Sequence, residues 1–149
     1  MTKNSSIDQN ELNKFSKTSK QWWDESGEFK ILHKINPIRL KYINDKLIEH
    51  FSIHKASTEN AKLLRELDIM DIGCGGGLIS IPICQLGAKV TAIDANNYNI
   101  QASSEQAKKS NLEINFINIT VEEYIKTYPN NLYDVVLCLE VVEHVANQP

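Results

Sequence analysis

The segment Asp71-Ile72-Gly73-Cys74-Gly75-Gly76-Gly77, entered from the apolar stretch at Leu67, sets tight limits on what this chain can fold into. A short apolar run reaches an acid and is followed by four glycines within five positions. Glycine carries no Cβ, so its backbone can take φ > 0 and another group can approach it closely. A helix predicted from about Leu78 would begin with N–H groups that have no partners inside the helix. A strand, a bare loop and a helix start in this order suit a nucleotide-like ligand lying against backbone. The dinucleotide pattern G-x-G-x-x-G requires a glycine at the sixth position from Gly73, and Leu78 stands there. The pattern present is D-x-G-x-G-x-G, on Asp71, Gly73, Gly75 and Gly77.

Around this loop the chain reads as regular α/β alternation. Upstream, Ser6 and Gln9 form a capping-box pattern that predicts a helix over about Ile7–Lys20. Trp22-Trp23 form an aromatic knot, with a turn predicted at Asp24–Gly27. Asn36-Pro37 predicts the start of a second helix, Asn36 as cap and Pro37 at the first helical position. Leu40, Ile43, Leu47 and Phe51 give that helix an apolar stripe, and residues 52–62 read as a loop. Then follow a strand over Leu67–Ile72, a helix over Leu78–Leu86 bent at Pro82 and stopped at Gly87, and a strand over Lys89–Ile93 ending at Asp94. A helix over Asn97–Ser110 capped by Asn111, a strand over Ile114–Asn118 and a short helix over Val121–Lys126 come next. A fourth strand over Tyr133–Leu139 and a last helix from about Val141 complete the reading. Alternation with short links predicts a parallel sheet with about four strands, preceded by two N-terminal helices. The division expected is a helical cap over 1–60 and a ligand-binding α/β unit over 61–149.

Composition narrows the partners. A net charge of −3 with no basic block argues against nucleic acid. No apolar run approaches the roughly 18–20 residues that span a bilayer, and Met1–Ser6 lacks a signal-peptide core. Cys74, Cys84 and Cys138 have no metal-type spacing and predict reduced thiols in a cytoplasmic protein.

Ligands of parallel α/β sheets sit beyond the carboxyl ends of the strands, where the glycine loop, Asp94 and the Leu139-Glu140 region all fall. Asp94, about twenty residues past Gly73, is placed to accept hydrogen bonds from ribose hydroxyls. The same residue would also serve as a turn-forming Asp before Ala95-Asn96. Glu140, Glu143 and His144 share a face if residues 140–145 are helical. Two carboxylates and an imidazole would suit a divalent cation that acidifies a bound phenol, or His144 could act directly as general base. The same spacing equally suits an exposed helix start, with acids at the positive end of the dipole. Trp22, Trp23, Phe29 and His33 read most simply as a packed cover. Arg39, a cation in the first turn of the second predicted helix, is either solvated or paired with a ligand carboxylate.

The D-x-G-x-G-x-G spacing resembles motif I of the S-adenosylmethionine-dependent methyltransferases. Trp22-Trp23-Asp24-Glu25-Ser26-Gly27-Glu28-Phe29-Lys30 and Leu32-His33-Lys34-Ile35-Asn36-Pro37-Ile38-Arg39-Leu40 resemble the N-terminal signature of the ubiquinone biosynthesis O-methyltransferases. Asp71–Gly77 and Glu140–Val145 resemble that family's later motifs in order and spacing. The resemblance implies a Rossmann-like class I methyltransferase fold, of which this chain would hold the N-terminal part of a doubly wound sheet. It implies O-methylation of polyprenylated phenols and catechols, with S-adenosylmethionine as methyl donor and Mg2+ in some members. By position it implies Arg39, Asp71, Gly73, Gly75, Asp94 and Leu139 as cofactor-binding residues. Glu140 and His144 would be catalytic, and Glu140, Glu143 and His144 would ligate the metal. So apolar a substrate implies peripheral association with the inner membrane or with a biosynthetic complex. Family chains run on well past the position of Pro149, so the reading expects a fragment. The alternatives are an inactive truncated remnant or interaction module, and a methyltransferase of another small molecule.

Overall fold

The computed structural model describes residues 18–53, 63–65 and 67–145, together with Asn10 and Asn13. The helix read over 7–20 and its capping box fall mainly outside the described residues, as does most of the loop read over 52–62. The described chain opens with a 3-10 turn at Ser19–Gln21. It continues through helix α1 (Lys30–His50), strand β1 (Asp68–Ile72), α2 (Ser80–Gln85) and β2 (Lys89–Asp94). Then come α3 (Asn97–Lys109), β3 (Asn115–Asn118), α4 (Val121–Thr127), β4 (Val135–Cys138) and a 3-10 turn at Val142–His144.

The four strands form one parallel sheet in the order β3-β2-β1-β4. Parallel neighbours require crossover connections, which the intervening helices supply. Register and two-residue alternation then decide which side chains share a face. Ile69 lies beside Val90 and Val135, and Asp71 beside Ala92 and Leu137. This face carries the main core, where Ile43 and Leu47 of α1, Ile83 of α2 and Ile100 of α3 pack on Ile69, Val90 and Ala92. Burying one such aliphatic side chain is worth about 1.5–3 kcal/mol. On the opposite face Met70 and Ile93 pack with Tyr124 of α4.

Two helix starts differ from the sequence reading. α1 begins at Lys30 and runs through Pro37 rather than starting there. Asn36 caps nothing: its Nδ2 donates to the Leu78 carbonyl at 2.7 Å. A proline in a helix interior removes one backbone bond and crowds the carbonyl of the preceding turn, a cost that packing of Ile43 and Leu47 offsets as the helix runs across it. Pro82 bends nothing that needed its N–H, because α2 starts at Ser80 and Pro82 lies in its first turn. Two caps are set by local chemistry. The Asn96 side chain accepts from Tyr98 N at the start of α3. Thr120 and Glu123 form a reciprocal capping box on α4.

Candidate functional site

Site residues gather at the carboxyl ends of β1, β2 and β4. The glycine loop leaves β1 and is fastened to β2 by two bonds to the Ile93 carbonyl, from Gly73 N at 2.8 Å and Cys74 N at 3.0 Å. Beside it, Asp94 ends β2. Its Oδ2 accepts from Gly75 N at 2.9 Å, and its Oδ1 from Asn96 N at 2.8 Å and Asn99 Nδ2 at 3.3 Å. Burial raises the Asp94 carboxyl above its ordinary pKa, and the three donors oppose that by favouring the charged form.

The loop's glycines are demanded by protein as much as by any ligand. A Cβ on Gly76 would lie 2.2 Å from Trp22, and one on Gly75, which has φ +52°, would lie 2.6 Å from the same ring. Trp22 is buried, and its indole stacks on Phe29 with ring centroids 3.8 Å apart. Its Nε1 donates to Asn99 Oδ1 at 2.9 Å, while Trp23 Nε1 donates to the Gly76 carbonyl at 2.9 Å. His33 Nε2 donates to the Trp22 carbonyl at 2.8 Å, since that carbonyl can only accept. The aromatic cover read from the sequence is thus specifically a cover of the glycine loop, with Leu78 completing its apolar cluster.

Asp71 sits on the core-facing side of β1, so alternation turns its carboxylate inward. Ser80 Oγ, on the first residue of α2, donates to Asp71 Oδ2 at 2.5 Å. Burial pushes the Asp71 carboxyl up to about 7, the Ser80 bond opposing and the Asp94 charge adding to the rise. Burial likewise raises the Cys74 thiol well above its ordinary value, and none of the three cysteines is in a disulfide. Gly73 rests against Val141, and Leu139 packs on the main core.

The last predicted helix is instead a 3-10 turn, Val142–His144, and Glu140 lies before it with φ +55°. The shared helical face expected of Glu140, Glu143 and His144 therefore does not form. Glu140 is ion-paired with Arg39 of α1, which joins residues far apart in sequence across the site. Among the described residues no group of three or more His, Cys, Asp or Glu side chains is arranged to hold a metal ion. The donor set as it stands does not fit a divalent cation, because one of its carboxylates is already neutralised by a guanidinium.

Sequence reading missed Asn96 and Asn99 as partners of Asp94. Asn96 carries a legible N-cap signal before a helix. Asn99 has none, since its partner Trp22 is 77 residues away.

A family model described as a methyltransferase domain matches residues 70–149. The chain belongs to this methyltransferase domain family. It is 49% identical over 143 residues to the ubiquinone biosynthesis O-methyltransferase of Rickettsia akari (strain Hartford), covering 96% of this chain and 52% of that protein. It is 48% identical to the ubiquinone biosynthesis O-methyltransferase of Rickettsia felis (strain ATCC VR-1525 / URRWXCal2), covering 96% of this chain and 53% of that protein. The chain spans about half the length of these curated relatives. Among solved structures, magnesium protoporphyrin IX methyltransferase from Synechocystis PCC 6803, crystallised with bound SAM, superposes with a TM-score of 0.68 at 20% identity. The match covers 95% of this chain and 66% of that one. Monomeric WbdD gives a TM-score of 0.54 at 22% identity over 75% of this chain and 24% of its own. The fold is the Rossmann-like class I methyltransferase fold.

Proposed function

We propose that the chain is the cofactor-binding part of a ubiquinone biosynthesis O-methyltransferase, transferring methyl from S-adenosylmethionine to hydroxyls of polyprenylated phenols and catechols. The observation that carries the reading is 49% identity over 96% of the chain to a relative of that name. The site chemistry supports it. Asp94 offers a carboxylate to a ribose beside the backbone of Gly75, and Gly73 continues the same bare loop. Arg39 pairs with Glu140 in the structure and is assigned to the cofactor's carboxylate, exchanging one carboxylate partner for the other and releasing Glu140. Asp71 supports the loop from beneath through Ser80, and Leu139 backs the cofactor from the end of β4.

S-adenosylmethionine supplies an electrophilic methyl group on a sulfonium. The chain's contribution is to hold that methyl in line with a phenolic oxygen, an effect of positioning. The phenolic proton passes to His144 or Glu140, both just past β4. No step is routed through Mg2+, because no group of side chains arranged to hold a cation exists among the described residues. Residues 1–60 are read as the substrate-side cap and 61–149 as the cofactor unit. Among the described residues no helix is long and apolar enough to cross a membrane, so contact with a prenylated substrate is assigned to peripheral association with the membrane or with a complex.

Calorimetry with S-adenosylhomocysteine tests the reading. Binding is expected for the wild-type chain, with a loss of about tenfold or more in Asp94→Ala, the scale of a hydrogen bond to a charged group. No binding by wild type, or unchanged affinity in the variant, refutes it.

A further inference from the structure

We infer that Asn99, held in place by Trp22, is the positioning residue that orients the Asp94 carboxylate toward the hydroxyls of a nucleoside ligand. This rests on the reading of Asp94 as a ribose acceptor, and adds how that carboxylate is aimed and by what.

An asymmetry between two side chains sets the orientation of the amide. An indole N–H can only donate, whereas an asparagine amide presents an acceptor on one side and donors on the other. Trp22 Nε1 lies 2.9 Å from Asn99, so the amide oxygen must face the indole. The amide nitrogen is thereby turned to Asp94 Oδ1, at 3.3 Å. Asn99 is 4% exposed and Trp22 7%, so the bond between indole and amide is shielded from water. Without the indole N–H, the amide is free to turn its oxygen toward the carboxylate, an acceptor against an acceptor.

A carboxylate has about four acceptor positions. Oδ1 takes donors from Asn96 N and Asn99 Nδ2, which fills it, while among the described residues Oδ2 takes only Gly75 N. One position remains, on Oδ2, the oxygen already at the glycine loop. Asn99 thus fixes which carboxylate oxygen a ligand hydroxyl meets. Because Trp22 also packs on Gly75 and Gly76, the segment after Ser19–Gln21 sets both the loop and its acidic partner.

The test compares S-adenosylhomocysteine with its 2′,3′-dideoxy counterpart by calorimetry, on the 149-residue chain and on Asn99→Ala and Trp22→Phe. Trp22→Phe keeps an aromatic ring against Phe29, deletes the donor and withdraws the outer indole ring from Gly75, so its effect is read as the difference between the two ligands. Each variant is expected to bind S-adenosylhomocysteine about tenfold more weakly, the scale of one hydrogen bond to a charged group. The double variant should lose little more, because both changes act through one path. Asn99→Ala should leave affinity for the dideoxy ligand unchanged, and Trp22→Phe should weaken it less than it weakens S-adenosylhomocysteine. A variant that weakens both ligands equally, or neither, overturns the inference and leaves the function standing. A wild-type chain that binds no S-adenosylhomocysteine overturns both, and does so before any variant is made. If circular dichroism shows Asn99→Ala unfolded, Trp22→Phe decides by the same two outcomes.

Discussion

Buried at the heart of the site, Asp71 ties the stability of the fold to pH. Its carboxyl titrates near 7 in the folded chain, against an ordinary value of 3.8. A folded pKa above the unfolded one means that folding favours the protonated form. The stabilising contribution is complete below about pH 4 and is lost as pH rises toward 7. Asp71→Asn keeps an oxygen for the Ser80 hydroxyl and carries no charge at any pH. Its melting temperature is expected to match wild type near pH 4 and exceed it above pH 7, the gap opening between the two, with each pH unit worth up to about 1.4 kcal/mol. Thermal melts across that range check this; a gap independent of pH would sink it. The motif D-x-G-x-G-x-G was legible in the sequence, but the direction of this carboxylate was not. Strand alternation could have suggested it, since Ile69 and Asp71 share a face, yet only the docking of Ser80 shows what that face meets.

At the scale of elements, local chemistry and tertiary packing divide the helices between them. Thr120-Val121-Glu122-Glu123 spells the capping box that starts α4, and both reciprocal bonds are present. Thr120→Ala is expected to cost about 1 kcal/mol of stability. Urea denaturation measures it, and a change below a few tenths would show that packing of Tyr124 alone holds α4. α1 is the opposite case. Asn36-Pro37 carries a strong local start signal, yet the helix begins at Lys30. The side chain that would have capped it is used 42 residues away, on the Leu78 carbonyl. The Glu140–Val145 segment likewise reads as a helix start but turns at Glu140, at φ +55°, where that residue meets Arg39.

Across the whole molecule the two faces of the sheet are unequally covered. α1, α2 and α3 supply the main core on one face, while α4 covers β1 and β2 on the other. On β4 the second face is open: Val136 is 55% exposed and Cys138 is exposed too. Among the described residues β4 is also an edge strand, with unpaired backbone groups along it. Exposed apolar edge strands template pairing with other chains, and a lysine on such an edge blocks it. Val136→Lys is therefore expected to suppress concentration-dependent self-association while leaving the melting temperature nearly unchanged. Light scattering and thermal melts over a concentration series check this. Equal scattering by the two proteins would show that β4 is not the contact.

The sequence by itself determined the order of strands and helices, the glycine loop and the acid at the end of β2, because these rest on periodicity and on residues acting over a few positions. Tertiary structure alone decided that Trp22 fills the space above Gly75 and Gly76, that Asn99 aims Asp94, and that Arg39 meets Glu140. The contacts of Trp22 with the glycine loop and with Asn99, and of Arg39 with Glu140, join segments brought together only when the sheet packs under α1, and a hydrogen bond between residues 77 apart leaves no periodic trace in the chain.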